Sequence, residues 1–155
     1  MTTPGEYYAR HSFYVDRGQH LATNYARTTV IPINTPVRVI NVRGNNIAAE
    51  TLGMPVTIVN VPKFTKIRTE QLFERMFSVA PVDLSGVRPE FVAAMRQGLL
   101  RLGMTKQEAI MARGYPPAHA TPSLDLDRWT YWNSRVVKQA IAFENGVIVK
   151  GRGLR

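Results

Sequence analysis

Residues Thr105–Pro117 read TKQEAIMARGYPP, and this stretch specifies a short helix by itself. Its start fits a capping box, in which the Thr105 hydroxyl accepts a hydrogen bond from the Glu108 amide while the glutamate side chain reaches back to the threonine amide. The helix is expected to end near Arg113, because Gly114 can adopt the left-handed conformation at a helix C-terminus and two prolines follow it.

The sequence after this helix predicts a three-stranded antiparallel meander. A loop, Pro116–Asp127, precedes the aromatic strand Trp129–Trp132, and a hairpin of Val136–Phe143 and Val147–Lys150 follows. The hairpin turns at Asn145-Gly146, a dipeptide that strongly favours a two-residue turn because both residues tolerate positive φ. The chain after Thr105 therefore combines one helix with one small sheet.

A second helix is predicted just before the capping box. Pro89 suits the first turn of a helix, because its missing amide hydrogen would be unsatisfied there in any residue. Helical periodicity places four apolar residues on a common stripe and two arginines on the polar side. The apolar residues are Phe91, Met95, Leu99 and Leu102, and the arginines are Arg96 and Arg101.

Four short motifs occur in this order at the corresponding intervals: Gly103-Met104-Thr105, Gly114-Tyr115-Pro116, Trp129-Thr130-Tyr131 and Phe143–Val147. With two helices and a three-stranded meander, residues 90–155 resemble the SmpA/OmlA (BamE-like) family. The resemblance implies two helices packed on one face of an antiparallel sheet. It also implies an accessory protein of the bacterial cell envelope, since the best-known member is a lipoprotein of the outer-membrane β-barrel assembly machinery that contacts other subunits and anionic lipid.

The N-terminal half has the composition of short strands. Residues rich in β-branched side chains alternate with turn formers, and Gly44-Asn45-Asn46 predicts a hairpin. The strands are expected at Leu21–Ile31, Val37–Arg43, Ile47–Thr51 and Val56–Val61. Strands this short and this close together suit a small barrel without exposed edges. The pattern of Thr29–Val39, followed by the basic tip at Arg43, also resembles a bacterial SH3-like domain.

Two further segments complete the predicted N-terminal half. Thr69 can cap a helix to Phe77, in which Leu72, Phe73, Met76 and Phe77 line the face that covers one end of the barrel. Met1–Gly18 is expected to pack against the body, because it contains four aromatic residues. The predicted fold is therefore α+β, with a β-barrel and covering helix at 1–78, a linker at 79–89 and a BamE-like domain at 90–155.

Composition excludes several classes of function. The 155 residues contain no cysteine, which removes disulfides, thiolate metal sites and cysteine nucleophiles. The three histidines have no metal-ligand spacing, and we find neither a nucleophile elbow nor a glycine loop that cradles phosphate. We therefore expect no catalytic residue, no metal and no cofactor. We find no apolar run near the ~18 residues of a membrane span, and a polar N-terminus, so the protein is cytoplasmic or its chain was cut after a signal peptide.

A candidate binding surface follows from strand alternation. If Trp129 and Tyr131 pack under the helices, Trp132 points to the opposite face, where an exposed aromatic residue would anchor a partner. The alternative is that the loop Pro116–Asp127 or the N-terminal domain covers Trp132. The predicted binding residues are Tyr115, His119, Trp132 and Arg135.

Two functional hypotheses remain open at this point. The leading one is a non-enzymatic interaction or scaffold module at the periplasm or outer-membrane periphery, with another envelope protein as its partner and anionic lipid as a further one. The alternative uses the formal charge of +9 and makes the protein a binder of nucleic acid or another anionic polymer. The predicted binding surface for this alternative is the basic surface of the barrel, formed by Arg38, Arg43, Lys63 and Lys66.

Overall fold

A computed structural model describes residues 4–155, and it confirms the α+β class. A curled, half-barrel sheet of six strands has the order β3-β7-β6-β5-β1-β8, a three-stranded sheet has the order β11-β10-β9, and β2 pairs with β4. The elements are β1 Gly5–Ala9, β2 Phe13–Val15, β3 Gln19–Leu21, β4 Thr29–Ile31, β5 Pro36–Arg43, β6 Asn46–Thr51, β7 Met54–Val59, α1 Pro62–Thr65, α2 Thr69–Met76, β8 Phe77–Ser78, α3 Pro89–Arg96, α4 Lys106–Arg113, β9 Arg128–Trp132, β10 Lys138–Glu144 and β11 Val147–Gly151.

The centre of the six-stranded sheet follows the predicted pattern. Strands β5, β6 and β7 form an antiparallel meander, and their bounds agree with the sequence prediction to within about two residues, the usual uncertainty of strand ends. Val37 and Val39 are buried whereas the intervening Arg38 is exposed, as strand alternation requires. The turn between β5 and β6 uses Gly44 at φ 57°, so the predicted hairpin is confirmed.

The predicted single strand Leu21–Ile31 is wrong. Its start belongs to β3, which runs parallel to β7, and its end is β4, which pairs with β2 in a separate sheet. Between them the chain turns, since Asn24 adopts φ 58° and its amide donates to the Leu21 carbonyl. Asparagine tolerates this left-handed conformation and interrupts an extended strand.

The N-terminal segment is an integral part of the sheet. β1 lies between β5 and β8, so its backbone is paired on both sides. β2 and β3 follow within a few residues, and Phe13 is buried in the first hydrophobic core. The expected packing of this segment is therefore confirmed for the residues described, while Met1–Thr3 lie outside them.

The helix that follows the curled sheet has its N-cap one residue earlier than predicted. Arg68 is the N-cap residue, and the Gln71 side chain accepts from its amide, so the assignment of Thr69 as the cap is wrong. Leu72, Phe73 and Met76 are buried on the core side. Phe77 is also buried, but it belongs to β8, where it pairs with β1.

Both helices of the C-terminal half begin where the sequence predicted, but α3 ends earlier than predicted. Phe91 and Met95 are buried on α3. Leu99 and Leu102 are 49% and 37% exposed, so their predicted place on the buried stripe is wrong. The helix ends at Arg96 because Gly98 turns the chain at φ 70°, which breaks the helical period before either leucine. Leu100 and Met104 fill the core instead.

The capping box and the C-terminal hairpin are confirmed. The Thr105 hydroxyl accepts from the Glu108 amide at 3.1 Å, and the Glu108 carboxylate accepts from the Thr105 amide at 2.9 Å. The hairpin turn has Asn145 at φ 53° and Gly146 at φ 82°. β10 begins at Lys138 and not at Val136, because Val136 and Val137 belong to the loop that joins β9 to β10.

Two hydrophobic cores lie side by side and share a boundary. One core lines the curled sheet and α2, and the other lies between α3, α4 and the three-stranded sheet. Ile33 from the N-terminal half is buried in the second core, and Val82, Leu84 and Val87 of segment 79–89 pack against it. The Asn34 side chain also exchanges two hydrogen bonds with the backbone of Val82.

Replacing Thr105 with alanine is expected to lower the free energy of unfolding by about 1 kcal/mol, because the Glu108 amide loses its capping acceptor. Urea unfolding followed by circular dichroism would measure the change. Gln107→Ala is the matched control, since Gln107 is exposed in the same helix and has no part in the capping box. Equal effects of the two substitutions would contradict the capping role.

Candidate functional site

Trp132 is buried in an aromatic cluster that also contains one other predicted binding residue, the exposed His119. The centroids of their rings are 5.9 Å apart, and both rings pack on Phe64 of α1, at 5.1 Å and 5.4 Å. Trp132 is only 8% exposed, and Tyr25 packs on it as well. An exposed anchor at Trp132 is therefore wrong, because the N-terminal half and the loop after α4 cover the indole.

Tyr115 and Arg135 lie in different places. The Tyr115 ring is half-buried under the guanidinium of Arg75, which lies 4.0 Å from the ring centroid, and it lines a small cavity with His11. Arg135 is exposed on the β9–β10 loop and lines a separate open cavity with Asp16. The structure therefore brings His119 and Trp132 together and leaves the other two predicted residues at two further positions.

The arginines of the predicted barrel surface are partly neutralised. Arg38 forms a 4.0 Å ion pair with Glu50 on one neighbouring strand and lies in register with Glu6 on the other. Arg43 is five residues further along β5, roughly 16 Å away at the usual rise of an extended strand. The two charges do not form a compact cationic patch.

The two lysines of that surface belong to α1 and its end. The ammonium of Lys63 lies 5.4 Å from the centroid of the Phe64 ring, against the aromatic cluster. Lys66 closes the helix in a left-handed conformation at φ 62°. Both side chains are exposed.

A more concentrated basic surface lies on the outer face of the three-stranded sheet. Trp129, Tyr131, Ile141, Phe143 and Ile148 point into the second core. The alternate positions point outward, and register aligns Arg128 with Ala142 and Ala142 with Lys150 across the three strands. Lys138 and Arg152 complete the set, and the four cationic residues line one shallow cavity of about 330 Å³. We call this surface the basic sheet face.

The basic sheet face has a flat floor and an unbalanced charge. Ala140 and Ala142 form its centre, so backbone and methyl groups lie between the charged side chains. Strand spacing puts the Cα atoms of Arg128 and Lys150 roughly 10 Å apart, which leaves room for one extended anionic chain between them. The residues that line the cavity include neither aspartate nor glutamate.

Sequence reasoning missed this face because the register of three strands assembles it. Positions 128, 138, 142 and 150 share an outward side only once the register of all three strands is known. The bulge after Ala142 shifts β11 by one residue, and without that shift alternation would turn Lys150 inward. The basic residues are also spread over 25 positions, so no charge run marks them.

Two histidines are buried between the cores and are held neutral. Burial lowers the pKa of His11 to about 4 and that of His20 to about 3, against partial compensation by a backbone hydrogen bond in each case. His11 Nδ1 donates to the Ser12 carbonyl, and His20 Nδ1 donates to the Tyr14 carbonyl, both at 2.8 Å. These contacts fix the rings as parts of the interior.

The described residues form neither a metal site nor a membrane-spanning helix. Within residues 4–155, no group of three or more histidine, aspartate or glutamate side chains could hold a metal ion. None of the helices described is long and apolar enough to cross a membrane.

Replacing Trp132 with alanine is expected to cost about 3–5 kcal/mol of unfolding free energy, the usual effect of deleting a buried aromatic side chain. Phe64, His119 and Tyr25 would lose their common packing partner. Chemical unfolding would measure the loss. Val136→Ala is the control, because Val136 is 87% exposed four positions away. A change below about 1 kcal/mol for the tryptophan variant would contradict its buried placement.

Stability is expected to fall as the pH drops from about 6.5 toward 4, because the unfolded chain then binds protons that His11 and His20 refuse in the folded state. Between pH 6.5 and its folded-state pKa, each histidine contributes a slope of up to about 1.4 kcal/mol per pH unit. Above pH 6.5 both states leave the histidine neutral, so the slope vanishes and the stabilisation is complete. Urea unfolding at pH 7, 6 and 5 would measure it. His20→Gln should flatten the dependence, and an unchanged pH dependence in this variant would contradict the role of His20.

Comparison with known proteins returned no match to any family model, curated protein or solved structure.

Proposed function

We propose that the protein is a non-enzymatic binding module for nucleic acid, and that it binds through the basic sheet face. The observation that carries this proposal is the convergence of Arg128, Lys138, Lys150 and Arg152 on one cavity whose lining contains no acidic residue. Lysine and arginine that neutralise phosphates release condensed counterions, and this release supplies most of the affinity of sequence-independent binding.

The composition of the face favours phosphate contact over base recognition. Alanines at its centre let a sugar-phosphate backbone approach the sheet closely. The lining residues include no aromatic ring on which a base could stack, and the nearest outward aromatic, Trp132, is covered. Binding should therefore be sensitive to salt and tolerant of sequence, since phosphate contacts carry no sequence information and base-edge contacts supply specificity in other proteins.

The net charge of the whole chain also favours binding to nucleic acid. A formal charge of +9 raises the local concentration of any polyanion and speeds association. The basic sheet face concentrates four of these charges around one cavity whose lining has no acidic residue, whereas Arg38 in the six-stranded sheet is paired with Glu50. This contrast moves the nucleic-acid hypothesis from the barrel to the C-terminal sheet.

We also propose a more specific fold for each half of the chain. The order α3, α4 and a three-stranded meander supports a BamE-like unit at 90–155, and the curled sheet with α2 supports an SH3-like unit at 1–78. In a BamE-like unit the helices pack on one face of the sheet, and here the opposite face carries the basic residues that the proposed function uses.

A second candidate function rests on a separate surface. Val136 and Val137 are 87% and 51% exposed on the β9–β10 loop, beside the predicted binding residue Arg135. Adjacent exposed valines favour a hydrophobic partner. This supports an interaction or scaffold role with another protein of the cell envelope, or with an anionic lipid surface at the periplasm or outer-membrane periphery. Nucleic-acid binding would instead place the protein in the cytoplasm.

The double substitution Lys138→Gln/Lys150→Gln is expected to weaken nucleic-acid binding at least tenfold at low salt. Each lost phosphate contact should also reduce the slope of log affinity against log salt by about 0.7–0.9. Fluorescence anisotropy with a labelled oligonucleotide of mixed sequence, single-stranded and duplex, between about 50 and 200 mM salt would measure both quantities.

Lys63→Gln/Lys66→Gln is the matched control, because it removes the same charge from exposed lysines of the barrel side. Its affinity and salt slope should stay close to those of the unmodified protein. An equal loss of affinity in both double variants would mean that binding depends on net charge and not on the basic sheet face. Loss in the control alone would return the site to the barrel, and absence of binding at low salt would leave the β9–β10 loop as the candidate.

A further inference from the structure

A further cavity lined by arginines lies next to the cavity of the basic sheet face. It has a volume of about 430 Å³ and opens between the turn after α3, the end of α4 and the β9–β10 loop. Arg101 and Arg113 form its cationic wall together with Arg155, and Tyr14 and Asn133 contribute polar groups. Neither aspartate nor glutamate lines it. A volume in this range accommodates a small organic ligand.

Arg113 is the most unusual of these groups, because its side chain is buried without a carboxylate. It is 4% exposed. One terminal nitrogen donates to the Asn24 carbonyl at 2.8 Å, and the other donates to Asn133 Oδ1 at 3.0 Å. Among the described residues no acidic group lies within ion-pair distance of it. A guanidinium has five N–H donors, so these two bonds leave it both charge and donors for another acceptor.

The surroundings hold the Arg113 guanidinium in a fixed orientation. The Tyr131 and Tyr14 rings lie 5.0 Å and 5.6 Å from it, close enough for cation–π attraction. The Tyr14 hydroxyl donates to the Gly98 carbonyl at 2.7 Å, which ties the cavity wall to the turn after α3. An arginine fixed in this way needs little further ordering to bind a planar or tetrahedral oxyanion.

Arg101 supplies a second, independent observation. Its Nε atom is buried and has no hydrogen-bond partner within residues 4–155. A buried, unsatisfied donor on a charged group costs stability unless an acceptor is supplied. Arg101 and Arg113 line the same cavity, so the positive charges of both attract an anion inside it.

We infer that this cavity is a binding site for a small organic phosphate. A phosphate monoester carries close to two negative charges and accepts several hydrogen bonds, which matches a cavity lined by three arginines. The cavity is larger than phosphate alone requires, and Leu99, Leu100, Leu154 and Ala26 provide apolar wall for the organic part of the ligand. The site does not depend on the proposed nucleic-acid function, since it shares with the basic sheet face only Gln139.

Isothermal titration calorimetry and thermal unfolding with matched pairs of ligands would test this inference. The phosphates are glycerol 3-phosphate, ribose 5-phosphate and adenosine 5′-monophosphate, and their uncharged counterparts are glycerol, ribose and adenosine. At least one phosphate should bind and raise the melting temperature, because a ligand of the folded state stabilises it by mass action. Its uncharged counterpart should do neither at the same concentration and ionic strength.

The variants Arg113→Lys and Arg101→Gln locate the bound phosphate. Lysine keeps the charge but loses the planar fork, so Arg113→Lys is expected to weaken binding at least tenfold. Arg101→Gln should weaken it to a similar extent. Arg96→Gln is the control, because Arg96 is an exposed arginine of α3 that does not line the cavity.

Amide NMR keeps the test decisive if Arg113→Lys fails to fold. Titration of the unmodified protein should shift the Gly98 and Gly153 signals, which come from the cavity wall, and leave Gly44 of the β5–β6 turn in place. The inference is overturned if no phosphate binds at millimolar concentration, or if Arg101→Gln and Arg96→Gln reduce binding equally. It is also overturned if Gly151 beside the basic sheet face shifts while Gly98 and Gly153 do not.

Discussion

The side chain and backbone of Ser12 hold the two cores together. Its hydroxyl donates to the Met95 carbonyl at the end of α3 and accepts from the Ile33 amide after β4. Its own amide donates to the Met111 carbonyl of α4. Ser12 is fully buried, so any of these groups left unpaired would cost free energy with no water to compensate. The positions of both helices relative to the curled sheet are thus linked to one residue, and the surfaces that the helices and their sheet present depend on it.

The parts of the fold that local chemistry specifies were predictable from sequence. The capping box at Thr105, the Asn145-Gly146 turn and the alternation of Val37 and Val39 each depend on residues within a few positions of one another. The errors arose where distant contacts decide the outcome. Leu21–Ile31 has strand composition, but its two ends pair with different sheets, and the positive φ of Asn24 separates them.

The candidate sites were harder to predict for the same reason. Trp132 does alternate with Tyr131, as the strand pattern requires, but alternation cannot show that Phe64 from the other half of the chain covers the outward ring. Lys150 joins the basic sheet face only because a bulge shifts the register of β11. A surface assembled from three strands depends on register, and register in turn depends on turns and bulges that single-residue propensities do not encode.

Arg113 occupies a common position for a basic residue, the last turn of a helix, but its side chain lies in an unusual, buried environment. A basic residue in the last turn of a helix is favoured by the helix dipole, and this explanation usually suffices. Here the chain continues through Gly114, where an added Cβ would lie 2.8 Å from both His11 and Asn24, so the N-terminal half packs directly over the helix end. That packing removes water from the guanidinium, and its desolvation lowers the pKa of Arg113 from its ordinary value.

Two tyrosine faces and two oxygen acceptors compensate part of the cost of burying this cation. They carry no full negative charge, so part of that cost remains, and an anion in the cavity that Arg113 shares with Arg101 would offset it. Water can accept the remaining hydrogen bonds but cannot neutralise the charge, whereas an oxyanion does both. The close packing at Gly114 that joins the two halves of the fold therefore also leaves a buried cation that an anion in the cavity would stabilise.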